Sequence, residues 1–339
     1  MNLHRAVRYG SRLTHMKLRA LVAALALCFF VLPAYARTAD GRTKIVLIAG
    51  TKSHGPGFHE YLKSARLLKV MLDRSASLRD VRTEVYYDGW PADQSTLETA
   101  DTIVFFSDGM QWSPWSWSPE RIAFMQRQID RGCGFMTFHF ATYIPYQFAK
   151  QALDWNGGYV DYDGPQHPTE YFTQKTLTTD VILPTPAHPV MNGVHSFQIH
   201  EEFYYKPTFV DGLTGVTPLM RAIDLPADPN IYPGPPATPL EQTFFWAYDR
   251  PRHRGSKVQG RSIGATFGHY YESWQMDDYR KVIVNAICWT AHLAIPADGI
   301  QTTWVDDAVV DRALGPTPAP NLSPLEPKRP PPDPAYTKK

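Results

Sequence analysis

The sequence predicts an α/β fold in which a doubly wound, mostly parallel sheet carries helices on both faces, with antiparallel elaborations. Short apolar runs of strand length alternate with longer segments whose apolar residues recur at helical spacing. Most of these runs are continuously apolar, as in strands that are covered on both sides. Strands that alternate with helices through short loops are typical of doubly wound sheets.

The first half of the chain contains the four strands of the parallel sheet. A helix follows the first strand, where apolar residues repeat at helical spacing from Phe58 to Leu72. A second helix opens after the third strand, with Ser118 as cap and Pro119 in its first turn, and Gly132 ends it. The strands are expected at residues 44–50, 81–86, 101–107 and 135–138.

The second half has a weaker pattern. Between Tyr159 and Gln242 prolines and aromatic residues are frequent, which predicts loops and short antiparallel strands that elaborate the same domain. We expect this single domain to occupy residues 42–310. Two further strands and a long last helix are predicted at residues 244–248, 261–267 and 279–293.

The two ends of the chain differ in composition from the middle. Residues 1–36 hold five basic and no acidic residues, then an apolar run, then Ala34-Tyr-Ala36 at the positions that a signal peptidase reads. They predict a cleaved signal peptide and a periplasmic or secreted protein that begins at Arg37. Residues 315–339 contain nine prolines and no apolar pattern, which predicts a disordered tail.

Charge and motif content exclude several partners. Without residues 1–36 the chain has 29 Lys+Arg against 33 Asp+Glu, and this net charge of −4 argues against nucleic acid. No later apolar run is long enough to span a membrane. No dinucleotide or phosphate-loop motif follows the first strand, so neither NAD nor ATP is indicated.

Cys133 and Cys288 lie in apolar runs and are expected to be buried free thiols. The sequence leaves the oligomeric state open.

Three histidines, His54, His139 and His269, come directly after predicted strands. The carboxyl ends of parallel strands share one edge, where ligands of doubly wound sheets bind, so we expect one crevice to contain all three. An imidazole there can serve as acid, base or metal ligand. His59 belongs to the first turn of the first predicted helix and points either into the same crevice or to solvent.

Two adjacent carboxylates, Glu201 and Glu202, add to the candidate site. A buried carboxylate near a histidine can orient it, take a proton or bind metal, whereas a solvated acidic turn would do none of these. A divalent metal such as zinc is one possibility for His54, His139 and His269, although their spacing matches no zinc motif.

Aromatic residues near these positions could bind sugar rings. Flat side chains at Trp112, Tyr270 and Trp274 could stack on a sugar, or they could simply pack on the domain.

Short motifs occur in a distinctive order between residues 44 and 300. They are Ser53-His54-Gly-Pro-Gly-Phe-His59, Gly89-Trp90-Pro91, the strand that ends in His139, Trp155-Asn-Gly-Gly158, His188-Pro189, Glu201-Glu202-Phe-Tyr, Gly268-His269 and Asn285-Ala-Ile-Cys-Trp289. Together they resemble the ThuA-like (trehalose utilisation) family. The resemblance implies a flavodoxin-like sheet similar to class I glutamine amidotransferases. It also implies a role in carbohydrate use, on a disaccharide or its keto derivative.

The sequence departs from the family pattern at two places. Relatives often carry a Ser-x-Asn-Pro-x-Trp segment where this chain has residues 163–168, and many have Asp-Glu where this chain has Glu201-Glu202. These departures concern the substrate more than the fold. An amidotransferase would need a cysteine at the position of His139, and Cys133 lies six residues earlier, so glutaminase activity is not expected.

Two functions compete on these observations. In an exported carbohydrate-processing enzyme, His139 and His54 would be acid, base or metal ligands, and Glu201 or Glu202 would orient them or act as base. The small carbohydrate substrate would contact His59, His269, Trp112, Tyr270 and Trp274. The alternative is a non-catalytic carbohydrate-binding protein on the same fold, and a third is an interaction module that uses the tail. The histidines separate the first two, because binding alone needs no titrating group.

Overall fold

Nine strands form one sheet in the part of the chain that the structure describes. The structure is a computed structural model and describes residues 40–318 except Ser53, Asp88, 109–117, 162–173, 224–236, Arg254 and Lys257. The strands are β1 Thr43–Ala49, β2 Val81–Tyr86, β3 Thr102–Phe106, β4 Gly134–Phe138, β5 Tyr143–Ile144, β6 Gly158–Asp161, β7 Gln174–Ile182, β8 Gln198–Tyr204, β9 Thr208–Phe209, β10 Val216–Ala222, β11 Thr243–Asp249 and β12 Arg261–Ala265. The sheet order is β2-β1-β3-β4-β12-β11-β10-β7-β8, and β5, β6 and β9 form a second, small sheet.

Helices cover both faces of this sheet, as the sequence predicts. The α-helices of the described residues are α1 Tyr61–Arg74, α2 Pro119–Asp130, α3 Ala149–Asn156, α4 Asp277–Thr290 and α5 Asp307–Leu314. Leu47 and Val104 face the layer of α1 and α4, whereas the neighbouring Val46 and Ile103 face α2 and α3, because successive strand residues point to opposite faces.

The half of the sheet that contains β2, β1, β3, β4 and β12 is parallel, which confirms the doubly wound α/β prediction. The chain leaves β1 for β2 on one side and returns to β3 on the other side. The loops after β1 and β3 therefore diverge and open a crevice at their carboxyl ends, as in flavodoxin-like sheets.

The antiparallel half of the sheet is larger than predicted. The region expected to hold loops and short strands supplies β7, β8 and β10, which extend the same sheet. Only two residue pairs, Arg221 with Ile182 and Ala222 with Val181, join β7 to β10. This short junction lets the β7–β8 hairpin turn back over the carboxyl edge of the parallel strands.

The C-terminal part of the described chain adds the short helix α5, which the sequence analysis did not predict. It packs on α1 through Val310, which is 4% exposed, so the folded part continues past the expected boundary at residue 310. The tail beyond residue 318 and the leader 1–36 lie outside the described residues.

Cys133 and Cys288 are buried and unpaired, as expected. Among the described helices, none has both the length and the apolarity that a bilayer crossing requires.

Candidate functional site

Four histidines converge at the carboxyl edge of the parallel strands. His54 and His59 follow β1, His139 follows β4, and His269 follows β12. The ring centre of His59 lies 3.7 Å from that of His54, 4.8 Å from that of His139 and 4.7 Å from that of His269. The structure therefore brings together the three histidines that follow predicted strands, with His59 at their centre.

His59 does not lie in the first turn of a helix, which corrects the expectation from sequence. Helix α1 begins at Tyr61, and His59 precedes it with a left-handed backbone (φ 45°) and only 2% exposure. Its backbone N–H donates to the carbonyl of His269 at 3.0 Å, beside an antiparallel bridge between Phe58 and Tyr270. This pairing of two loops holds His59 against His269.

His139 occupies the turn at the end of β4. The chain leaves the strand through a left-handed residue (φ 52°) and enters a 3-10 turn, and the side chain is fully buried. Its Nδ1 lies 3.1 Å from the Thr266 carbonyl oxygen. Because a carbonyl can only accept, Nδ1 must carry the hydrogen, and the Nε2 lone pair points into the cluster.

His269 depends on the glycine before it. Gly268 has φ +123°, and a Cβ at this position would lie 2.2 Å from the ring of Phe138, so a larger residue would displace the loop. The resulting turn brings Nδ1 of His269 to 2.9 Å from Nε2 of His59.

Strand β8 contributes a carboxylate and a phenol from the same face, because alternate strand residues point the same way. Glu202 Oε2 lies 3.2 Å from His269 Nδ1 and 3.5 Å from His139 Nε2. The hydroxyl of Tyr204 lies 3.0 Å from His139 Nε2, and its ring stacks on that imidazole. We call His54, His59, His139, His269 and Glu202 the histidine–carboxylate cluster.

Glu201 points away from this cluster, which corrects its expected role as a reacting group. It lies on the opposite face of β8, fully buried. Oε1 accepts the backbone N–H groups of Glu202, His269 and Tyr270, and Oε2 accepts the Ser273 hydroxyl. Burial raises the pKa of Glu201 to about 8, although these donated bonds act in the opposite direction. The contacts of Glu201 fix the backbone that carries His269.

Two residues that the sequence analysis did not single out complete the surroundings of His59. Asp108 Oδ1 lies 3.1 Å from His59 Nδ1, and the Tyr61 hydroxyl lies 2.5 Å from both of these atoms. Asp108 lies two residues after β3, so its position at the end of a parallel strand could have identified it as a candidate site residue. Tyr204 shares a face of β8 with Glu202 through the two-residue period of a strand, but that period does not tell which face points inward.

Burial dominates the electrostatics of the site. It lowers the pKa of His59 to about 2, helped by His54 and His269, and it lowers the pKa of His139 well below the usual value. Burial acts to raise the pKa of Glu202, but hydrogen bonding to His269 and the proximity of His139 lower it overall. Burial and Glu202 raise the pKa of Tyr204. The site therefore combines two imidazoles whose charged form is disfavoured, His59 and His139, with a carboxylate whose pKa is lowered and a phenol whose pKa is raised.

The aromatic candidates have different positions. Trp112 lies outside the described residues. Tyr270 is partly exposed and contacts the rings of Phe58 and His269. The expectation that Trp274 contacts a sugar is wrong. Trp274 is 1% exposed and packs in the core, where its indole N–H donates to Ser64 Oγ at 2.9 Å. Trp274 is therefore not available to stack on a sugar.

An open groove of about 700 Å³ lies beside the cluster. It shares Phe58 and Tyr270 with the rim, and their ring centres lie 5.1 Å and 4.8 Å from that of His269. Its other walls include Tyr271, Trp304 and the carboxylates Glu272, Asp306 and Asp307. Aromatic faces combined with carboxylates suit a ligand with flat apolar faces and many hydroxyl groups.

Among the residues that the structure describes, two groups of side chains could hold a metal ion. His59, His139, Glu202 and His269 each offer one ligand atom, and these four atoms all lie within 4.8 Å of one another. The second group, His54, His59 and Asp108, meets the same limit. Of the three metal candidates from the sequence, His139 and His269 belong to the first group and His54 to the second.

Comparisons with known proteins give a family and a fold. The sequence profile of the family described as "ThuA: Trehalose utilisation" matches residues 46–290. A ThuA-like protein from Parabacteroides merdae ATCC 43184 has a TM-score of 0.51 at 12% identity, covering 77% of this chain and 98% of that chain. A ThuA-like protein from Bacteroides uniformis ATCC 8492 has a TM-score of 0.48 at 16% identity, covering 76% and 94%. A glutamine amidotransferase from Thermotoga maritima has a TM-score of 0.38 at 8% identity, covering 74% and 98%.

A search of curated proteins finds no match. The family match covers well over half of the chain and includes β1, β4 and β12, after which the histidines of the cluster follow. The Parabacteroides merdae structure supports the fold.

Proposed function

Because the chain belongs to the ThuA trehalose-utilisation family, we propose that it is an exported carbohydrate-processing enzyme that acts at the histidine–carboxylate cluster. The proposed substrate is a disaccharide or its keto derivative. The family supports the substrate class, and the composition of residues 1–36 supports export.

The observation that carries the proposal is the burial of titratable groups that converge at the carboxyl edge. His59 and His139 are 2% and 0% exposed, and both have left-handed backbones. Such a backbone destabilises the fold by roughly 1–3 kcal/mol per residue, and burying polar side chains adds to this. A protein that only binds sugar needs neither feature, because aromatic faces and amides are sufficient.

The chemistry of the cluster suits a substrate with hydroxyl and carbonyl oxygens. Tyr204 stays protonated and can donate to a sugar oxygen, because burial and Glu202 raise its pKa. His54 is exposed at the mouth, and its ring centre lies 3.7 Å from that of His59, so it is placed to pass a proton between the cluster and water. We assign proton transfer to His54 and orientation of the sugar oxygen to Tyr204.

The groove beside the cluster supports a substrate larger than one sugar ring. Phe58 and Tyr270 line the groove, and their rings contact His269 of the cluster. One ring of a disaccharide would then stack against these aromatic residues while the other meets the cluster. The same groove favours the alternative, a carbohydrate-binding protein without turnover, because its aromatic faces can bind sugar without the histidines.

The experiment incubates the chain from Arg37 onward with a panel of disaccharides and their keto derivatives and follows products by NMR. We expect turnover that falls at least 100-fold in His139→Asn. Asparagine tolerates a left-handed backbone, so this variant should remain folded. His253→Ala is the matched control, because His253 is exposed beside Asp130, at the far end of α2.

Two outcomes would overturn the proposal. One is turnover that His139→Asn does not reduce. The other is saturable binding of a panel sugar without any product, abolished by Tyr270→Ala but unchanged in His139→Asn, which would establish the binding-protein alternative.

A further inference from the structure

We propose that His59, His139, His269 and Glu202 bind one divalent transition-metal ion of the zinc type. The ligand atoms are His59 Nε2, His139 Nε2, His269 Nδ1 and Glu202 Oε2. The inference goes beyond the proposed function, because it holds whichever substrate the protein takes.

The spacing of the four atoms is the first argument. Zinc bonds of about 2.0–2.1 Å in a tetrahedral site place neighbouring ligand atoms about 3.3 Å apart. The contacts here are 3.0 Å between His59 Nε2 and His139 Nε2, and 2.9 Å between His59 Nε2 and His269 Nδ1. Glu202 Oε2 lies 3.2 Å and 3.5 Å from the ring nitrogens of His269 and His139. If these ligand atoms moved apart by a few tenths of an ångström, their separations would match the edges of one coordination polyhedron around the ion.

The tautomers of two histidines are the second argument. The Thr266 carbonyl keeps the hydrogen of His139 on Nδ1, and Asp108 together with Tyr61 keeps the hydrogen of His59 on Nδ1. The two Nε2 atoms, 3.0 Å apart, therefore face each other with lone pairs. Two lone pairs that converge in this way are placed to bind one cation together.

The outer contacts are the third argument. Metal-binding histidines almost always donate their second ring N–H to a carboxylate or a backbone carbonyl, which fixes the ring and strengthens the ligand. His59 makes this contact with Asp108, and His139 makes it with Thr266. The backbone of His269 is fixed in turn by the buried Glu201.

The donor set indicates the type of metal. Three imidazole nitrogens and one carboxylate oxygen suit zinc, iron, cobalt or nickel, whereas magnesium and calcium prefer sites made of oxygen. A bound ion would act as a Lewis acid towards a sugar hydroxyl or carbonyl oxygen.

The test measures metal binding directly. Protein without a polyhistidine tag is purified, analysed for metals by mass spectrometry, stripped with a chelator and titrated with Zn²⁺ and Co²⁺. We expect one ion per chain, a visible Co²⁺ absorption band, and a melting temperature that rises with Zn²⁺ but not with Mg²⁺. Glu202→Gln and His139→Gln should weaken Zn²⁺ binding at least 100-fold.

Further variants separate this site from other histidines. His54→Ala should keep the stoichiometry, because His54 belongs only to the second group, and the exposed His253→Ala is a second control. Asp108→Asn should weaken binding 10–100-fold without removing a ligand, as changes at outer contacts do. Asparagine has nearly the same size and shape as aspartate, so this variant should fold and remains informative if a histidine variant does not.

The proposal is overturned if the stripped protein binds Zn²⁺ no more tightly than Mg²⁺, or if Glu202→Gln and His139→Gln bind Zn²⁺ like the wild type. Neither result depends on sugar turnover. A failed sugar screen with intact metal binding would contradict the proposed function alone.

Discussion

At the scale of single residues, the backbone strain coincides with the candidate site. Six described residues other than glycine have positive φ, and His59 and His139 are the two of them that belong to the cluster. A left-handed backbone destabilises an ordinary residue by roughly 1–2 kcal/mol. Strain of this kind persists where surrounding contacts hold it, here Asp108 and Thr266. The site therefore exists at the expense of local stability.

His188 gives a prediction at the same scale, away from the cluster. Its Nδ1 accepts the backbone N–H of Val190 at 3.2 Å, and its ring packs on Trp289 of α4. Burial, with a contribution from Arg261, lowers the pKa of His188 to about 4. The unfolded chain would bind the proton near pH 6.5. This contribution to stability is therefore complete above pH 6.5 and is lost as pH falls towards 4.

His188→Asn should make unfolding less sensitive to acid. Asparagine keeps an acceptor for the N–H of Val190 but does not titrate. Urea unfolding of both proteins between pH 7.5 and 4 measures the effect. We expect a constant difference in the free energy of unfolding above pH 7, and a wild type that loses stability faster below 6.5. Parallel curves down to pH 4 would contradict the assignment.

At the scale of elements, the parallel half of the sheet was predictable from local pattern. β1, β3 and β4 are buried on both faces, and their runs are correspondingly apolar. The start of helix α2 is marked in the sequence by Ser118 and Pro119. The Ser118 hydroxyl caps the helix by accepting the N–H of Arg121. Strand β8 has a weaker signal, because only one of its faces packs against the core.

The residues of the candidate site likewise divide into those that local sequence pattern predicts and those that it does not. His54, His139 and His269 could be found because each follows a parallel strand, and such ends share an edge. Tyr204 and the choice between Glu201 and Glu202 could not. They depend on which face of β8 points inward and on how the hairpin turns over the edge, and these are properties of tertiary packing.

Gly264 provides a test of the packing between β11 and β12. It pairs with Trp246, and a Cβ at position 264 would lie 2.0 Å from the indole ring. Gly264→Ala should therefore lower the free energy of unfolding by about 1–3 kcal/mol, because overpacking strains both strands. Chemical denaturation measures the change. In a Trp246→Leu background the same substitution should be much less harmful, and strictly additive effects would show that this contact is not the cause.

At the scale of the whole molecule, α5 connects the C-terminal part of the described chain to α1 and to the groove. Asp307 accepts hydrogen bonds from Lys63 at 2.8 Å and from Tyr271 at 2.9 Å. Arg66 of α1, itself 6% exposed, contacts Asp311 and the carbonyl of Gly315. Asp306 and Asp307 also line the groove, so α5 shapes the proposed binding surface as well as covering the core.

The C-terminal boundary of the stable domain should therefore lie after α5. Deletion of residues 319–339 should leave the melting temperature almost unchanged, because that proline-rich sequence has no apolar pattern to bury. Deletion from Asp307 onward should lower it by roughly 5 °C or more. This cut exposes apolar surface around Val310, worth about 1.5–3 kcal/mol, and each kcal/mol shifts a domain of this size by about 2–4 °C.

Calorimetry of the two truncated proteins beside the full chain decides the boundary. Val310→Ala in the full chain is the matched control for lost apolar packing and should account for part of the larger drop. The remainder should come from the polar contacts that the cut removes, those of Arg66 with Asp311 and with the carbonyl of Gly315. Equal melting temperatures for the two truncations would mean that α5 contributes no stability, and the domain would then end at Asp306.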